Sequence, residues 1–330
     1  MASDTFTAST GTLSATDVDA GTTLTYGIAT ITVTNGVATK VGTYGTLAVT
    51  AATGAYTFTP NAAAINALAA NTTETFSVTV SDGTALTTAS YTVNLTAVND
   101  TPTLTAPSSF ALTEDVAGNL TYTGTPFADV DSATLTVTLS VSDGTVTGNA
   151  GTGITVAGTA TARTFAGTVA ALNTYFTTAG NITYQGALNN TTSRTLTTAV
   201  SDGTLSASAT STINFTAVND APVAAASTVT SIVEDVADGS NPGTLVSALV
   251  TDFTDADSGA VKGIAVTAVV TTNGTWYYST NAGGAWTTLT GVSTSAARLL
   301  KGDDANYKVR FVPTADFNGT ATLTYQAWDQ

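Results

Sequence analysis

Carboxylates and carboxamides are the only side chains in this sequence with both the chemistry and the spacing to build a site. The stretch Ala97-Val98-Asn99-Asp100-Thr101-Pro102 recurs almost letter for letter as Ala217-Val218-Asn219-Asp220-Ala221-Pro222. Each copy closes an alternating apolar run and then offers an amide, a carboxylate and a proline that stops the strand. Asp17-Val18-Asp19, Asp129-Val130-Asp131 and Asp255-Ala256-Asp257 form a second recurring signal, and Ser81-Asp82-Gly83-Thr84 with Ser201-Asp202-Gly203-Thr204 a third. Glu114-Asp115-Val116 returns as Glu234-Asp235-Val236. Ionised near neutrality, two carboxylates about 5 Å apart repel by roughly 3 kcal/mol at an effective dielectric near 20. A hard cation that takes six to eight oxygens would reverse that sign.

The elements that must position these groups are strands. Ser201 follows Ser81, Glu234 follows Glu114 and Val218 follows Val98 at one offset of 120 residues, a period expected of tandem modules. Phe76, Val78 and Val80 alternate with polar residues before Asp82-Gly83, and Tyr91, Val93, Leu95 and Ala97 alternate after it. Leu196 and Val200, then Asp202-Gly203, then Ile213 and Phe215 repeat the pattern, a strong hairpin signal. The chain therefore reads as all-β, a tandem array of three immunoglobulin- or cadherin-like antiparallel β-sandwich domains, end to end, over 1–100, 101–220 and 221–330. Short helices within 61–70 and 168–176 read as crossovers between sheets. The acidic pair is missing upstream of Asp17, and the third module stops before its last strand. The sequence is thus expected to be a piece of a longer array, its third module frayed or completed by another chain.

Tracing strands at about 3.3 Å per residue brings Asn99, Asp100, Asp129, Asp131 and Asp202 together at the first junction. It brings Glu114, Asn219, Asp220, Asp255, Asp257 and Asp329 together at the second, and leaves Asp17, Asp19 and Asp82 as half a site. Alone, each Ser-Asp-Gly-Thr is a turn and each Asp-x-Asp a solvated loop; their ordered recurrence carries the metal reading. Ca²⁺ tolerates a mixed carboxylate, amide and main-chain set better than Mg²⁺. Another copy, at Ser142 to Thr145, reads as a turn only.

Composition narrows the alternatives. With 43% hydrophobic residues each module can bury a core, while only 9% are charged and the net charge is −15. Eight Lys and Arg leave no basic stripe for nucleic acid or an anionic membrane. Without Cys or His there is no thiolate nucleophile and no imidazole base or ligand. No apolar run is long enough to span a bilayer, and the first residues lack a signal-peptide pattern. Carboxylate pairs suited to glycoside hydrolysis recur, whereas a catalytic site is normally singular, so no enzyme is expected. Trp276, Tyr277, Tyr278 and Trp286 gather in a hairpin-like stretch. Glycan contact through Trp276, Tyr278 and Trp286 is the alternative reading, although Ser279-x-Asn281-x-Gly283-x-x-Trp286 is similar to the structural Asp-box hairpin.

Val-Asn-Asp-x-Pro after a final hairpin, followed by Asp-x-Asp and a late Asp turn, resembles the calcium-binding constellation of cadherin repeats. Gly11-Thr12-Leu13 through Asp17-Val18-Asp19-Ala20-Gly21 is similar to the VCBS and cadherin-like repeats of large RTX-type bacterial surface adhesins. The resemblance implies an extracellular or cell-surface array, stiffened by Ca²⁺ between modules, that serves adhesion or biofilm formation. Its implied partners are neighbouring repeats, glycans or other copies. The cadherin linker carries a further Asp where this chain has Ala97 and Ala217, which implies fewer ions per junction.

Overall fold

A computed structural model describes residues 4–19 and 21–330. It divides into two compact units, 1–216 and 217–330. Ala20, within the Asp17 to Gly21 motif, lies outside the described residues. The expectation of an all-β chain built from antiparallel sheets holds, with one exception described below. No helix of the described residues is long and apolar enough to cross a membrane.

The first unit contains distinct apolar clusters. In its N-terminal part, strands Ser9–Thr12, Ala55–Pro60, Gly45–Thr50 and Val37–Val41 form one sheet in that order, and Thr25–Ile28, Thr72–Ser81 and Leu86–Leu95 form another. Alternation turns Leu47, Val49, Phe58, Phe76 and Val78 inward from both sheets into one core. Helix Ala62–Asn66 carries the chain from the first sheet to the second, capped by Asn61, whose side chain accepts from the Ala64 amide. It ends earlier than the apolar run suggests. Ile65 within it and Leu68 beyond it pack with Leu95, and Asn71 accepts from the Ala97 amide at 2.9 Å.

Further along, a six-stranded sheet runs Ile154–Gly158, Ala162–Thr168, Thr134–Ser140, Arg194–Ser201, Ser206–Thr216, Ser109–Thr113. Gly118–Asn119, Ile182–Gln185 and Thr145–Gly148 form a three-stranded sheet, and Thr103–Leu104 pairs with Phe127–Ala128. Helix Val169–Thr177, capped by Thr168, crosses between the two larger sheets. Phe176 is fully buried and meets Tyr122, Phe127 and Phe165 edge-on at ring separations of 5.2, 4.8 and 5.2 Å, an arrangement that aromatic quadrupoles favour.

One pairing departs from the antiparallel expectation: Ser109–Thr113 runs parallel to Ser206–Thr216. The reason is topological. The linker ending at Pro102 and the hairpin turn at Asp202 are tied to each other through Asn99, so the strands that leave them set out from one end of the sandwich in one direction.

The second unit has a four-stranded sheet, Thr244–Leu245, Lys308–Pro313, Gly274–Ser279, Thr287–Thr288, and a three-stranded one, Arg298–Lys301, Gly263–Val269, Leu323–Trp328. Val246, Leu249, Ile264, Val266, Trp276, Leu300 and Val309 fill its core.

Truncating Phe176 to Ala is expected to cost about 3–5 kcal/mol, read as a lower midpoint in denaturant-induced unfolding. The core around Phe76, a separate cluster, should unfold at its original midpoint.

Candidate metal centre

Pro102 ends the linker just before Thr103–Leu104, leaving Asn99 and Asp100 outside any strand. Two contacts fix them. The Asn99 carboxamide donates to Asp202 Oδ2 at 2.8 Å, and the Asp100 amide donates to Asp131 Oδ2 at 3.1 Å. Asp129 Oδ1 in turn accepts from the amides of Asp131 and Ser132 at 3.1 and 2.9 Å, which closes the Asp-x-Asp bend. Asp202 Oδ1 accepts from the amides of Thr204 and Leu205 at 2.6 and 2.8 Å, which builds the hairpin turn around Gly203, φ 101°. Asn99, Asp100, Asp129, Asp131 and Asp202 therefore form one connected network.

The second unit contains the same network in its own residues. The Asn219 carboxamide donates to Asp329 Oδ2. The Asp220 amide donates to Asp257 Oδ2 at 2.7 Å, and the Asp257 amide to Asp255 Oδ1 at 2.9 Å.

Asp129, Asp131 and Asp255 each accept a main-chain amide on one oxygen and bury the other, while Asp202 accepts on both. Asp100 Oδ2, Asp129 Oδ2, Asp131 Oδ1 and Asp255 Oδ2 are buried without any hydrogen-bond donor. Buried anionic oxygens that lack a donor are costly, and several in one place are more so. Burial pushes the Asp129 carboxyl up, and the adjacent Asp131 pushes it the same way against the two amides it holds. Desolvation works upward on Asp202 as well, but the Leu205 and Thr204 amides and the Asn99 carboxamide outweigh it and hold the group low. The donor set is all oxygen, with no thiolate or imidazole, which fits a hard divalent cation.

The remaining candidates are placed differently. Asp17 and Asp19 form an exposed bend in which Asp17 Oδ1 accepts from the Asp19 amide at 2.8 Å. Asp82 Oδ1 accepts from the Ala85 and Thr84 amides, both at 2.6 Å, and these hold its carboxyl low. Among the described residues no hydrogen bond joins that bend to that turn. Glu114 is buried, and its amide donates to Thr216 O at 3.1 Å beside the parallel strand pair. Asp143, in the extra Asp-Gly turn, is bound by Arg194 Nε at 2.6 Å, which holds the carboxyl below its ordinary range.

The aromatic stretch is a correction to the glycan reading. Trp276 is 1% exposed and packs on Phe311 inside the core, so it offers no face to a sugar. Tyr278 is half-buried beneath Arg298, and Trp286 is half-buried beneath Arg310 at 4.3 Å. Asn281 Oδ1 accepts from Ser279 Oγ and the Ala285 amide, both at 2.8 Å, so the Asp-box-like segment is a self-closed hairpin.

Sequence reasoning missed the role of Asp115. Its backbone is left-handed, φ 63°, and its carboxylate accepts from the Asn189 amide at 2.6 Å. Asp235, φ 53°, does the same to the Asp316 amide at 3.1 Å. The recurrence of Asp115 was visible; its distant partner carried no local signal.

Comparison with known proteins gives the following. Residues 1–97 match the model of the bacterial cadherin-like domain. No curated protein matches the chain in sequence. Among solved structures, protocadherin gamma B2 extracellular domains 1–5 align at 14% identity and TM-score 0.40, over 92% of this chain and 52% of that one. Drosophila N-cadherin domains EC1–4 align at 14% identity and TM-score 0.30, over 96% and 68%. An endo-fucoidan hydrolase of glycoside hydrolase family 107 aligns at 16% identity and TM-score 0.24, over 86% and 38%. This chain spans about half the length of the protocadherin structure. At such scores and identities nothing about activity follows from any of the three. The cadherin-like match ends at Ala97, where the first Val-Asn-Asp-x-Pro stretch begins.

A carboxyl with a raised folded-state pKa favours the fold only while protonated, and that contribution is lost as pH rises through the folded pKa. At pH 7 in chelator, Asp129→Asn keeps an acceptor for the two amides and removes the buried charge. It is expected to raise the melting temperature by about 1–2 °C, equivalent to a few tenths of a kcal/mol, in a calorimetric scan. A fall would mean that ionised Asp129 is already stabilised.

Proposed function

We propose that this chain is an extracellular structural spacer of a bacterial adhesin or surface filament, organised as three cadherin-like modules over 1–100, 101–220 and 221–330. In this reading Ca²⁺ stiffens the linkers and no reaction is catalysed. Asn99, Asp100, Asp129, Asp131 and Asp202 would hold one ion site, and Asn219, Asp220, Asp255, Asp257 and Asp329 a second. Asp17, Asp19 and Asp82 would contribute to a site shared with a module upstream.

The observation that carries the reading is the set of buried carboxylate oxygens without donors at Asp100, Asp129 and Asp131. Two or three like charges in so small a space oppose folding of the linker onto its module; a doubly charged cation converts each repulsion into an attraction. The same donor arrangement in two places favours a repeated structural role over a catalytic one. Its partners would be neighbouring repeats of the same polypeptide and the surfaces it displays itself to, outside the cell, where millimolar calcium is available.

Titration calorimetry should find binding in the roughly 10⁻⁴ to 10⁻³ M range of extracellular calcium modules, weaker for Mg²⁺. Asp131→Asn should weaken the first site at least tenfold and leave the second unchanged; equal heats for both proteins would end the site assignment. Stiffening is a separate claim. Hydrogen exchange of the Asp100, Asp131, Asp220 and Asp257 amides should slow in calcium relative to chelator, and identical rates would refute it.

A further inference from the structure

The two units share a framework of three neighbouring strands. Thr134–Ser140, just after Asp129 and Asp131, lies between Ala162–Thr168 and Arg194–Ser201. Gly263–Val269, after Asp255 and Asp257, lies between Arg298–Lys301 and Leu323–Trp328. Beyond the first of these neighbours the units differ. Ala162–Thr168 carries a further strand, Ile154–Gly158, along its outer side. Among the described residues no strand lies outside Arg298–Lys301. The cause is local. Ser293 and Ala296 exchange both main-chain hydrogen bonds with each other, at 3.2 and 3.1 Å, so the segment before Arg298 closes on itself and supplies no strand.

The Gly302 amide donates to Lys262 O at 3.0 Å, and bonded pairs alternate along an antiparallel ladder. Arg298 and Leu300 therefore bond to the inner neighbour, while the main-chain groups of Leu299 and Lys301 point outward. Leu299 is 46% exposed and Lys301 is exposed beside it. Arg298 is exposed too, lying over the Tyr278 ring at 4.6 Å. Side chains alternate across a strand, so one cation flanks each face of this edge. In a chain with 23 Asp and Glu against 8 Lys and Arg, neither of these two cations is in ion-pair contact with a carboxylate among the described residues.

We propose that the edge Arg298–Lys301 is a docking site for an acidic, extended segment of a different polypeptide, which adds to the sheet as an antiparallel strand. An open edge presents a row of unpaired main-chain groups. Strand addition satisfies them, and the side-chain positions select the sequence. Carboxylates three positions apart meet Lys301 and Arg298, with an apolar residue between them opposite Leu299. A second copy of the same edge would set Arg298 against Lys301, and like charges directly opposite destabilise a pair. No other strand of this chain fits either. Among the described strands only Thr72–Ser81 carries a carboxylate, that of Glu74, and both sides of that strand are already paired. Charged side chains on an edge guard against indiscriminate pairing; here the guard repels cationic strands and attracts acidic ones.

The test uses the intact 330-residue protein and a fluorescently labelled, end-blocked peptide, Thr-Glu-Thr-Val-Glu-Thr, followed by anisotropy. Saturable binding is expected, with amide exchange slowed at Leu299 and Lys301 and unchanged in Ile154–Gly158, a neutral edge. Lys301→Glu should weaken binding roughly tenfold. Arg298→Glu combined with Lys301→Glu should instead accept the same peptide carrying Lys at both Glu positions. Leu299→Pro removes only an outward amide and should abolish binding; the charge-reversed pair carries the test if that variant does not fold. The all-D peptide should bind roughly tenfold more weakly than the all-L peptide. Equal binding of the two enantiomers reduces the site to charge attraction and overturns the proposal. So does the absence of binding up to millimolar concentration, which leaves Arg298 and Lys301 as edge guards alone.

Discussion

Like charge gathered where the chain has least structure is the constraint on which the linkers depend. Asp100 sits beside a proline, between strands, where the backbone has no ladder to hold it. Its position is set by its amide on Asp131 and by its neighbour Asn99 on Asp202, both of them acidic partners. The linker is therefore held by the groups that repel its own carboxylate. Main-chain donors occupy one oxygen of Asp129 and of Asp131, while Asp129 Oδ2, Asp131 Oδ1 and Asp100 Oδ2 are buried with no donor opposite. Hydrogen bonding thus makes the geometry reproducible without relieving the charge. Burial first, and Asp131 beside it second, push the Asp129 carboxyl up.

The hairpin turns show how one residue type does two jobs. Asp82 and Asp202 make the same turn with the same amides and the same serine-to-carbonyl contact. Only Asp202 also receives Asn99 through its second oxygen. A turn that is sufficient for folding leaves an oxygen over, and the linker uses it.

Much of this was legible before any coordinates. Alternation at Phe76, Val78 and Val80 gave inward and outward faces, Asp-Gly fixed both hairpins, and the short helices within 61–70 and 168–176 are present, the first capped by Asn61. These are local effects, and local effects are written in neighbouring residues. The parallel strand pair was not legible, because direction depends on which end of the sandwich the chain enters and leaves. Nor was the pin between Asp115 and Asn189, which joins positions far apart in sequence through an amide that any residue could supply. The aromatic stretch misled for a different reason. Period two says that Trp276 and Tyr278 share a face but not which face is inside, and the core claimed Trp276.

The carboxylates that accept the hydrogen bonds of Asn99, Asp100, Asn219 and Asp220 lie in the segment that follows each linker. A stretch of gene encoding residues 97 to 216 would therefore carry these hydrogen-bonded pairs with it wherever it was copied. Such a unit can be multiplied in a genome one copy at a time. The near identity of its flanking letters, Ala-Val-Asn-Asp at both 97 and 217, is the seam that repeated copying of this kind would leave.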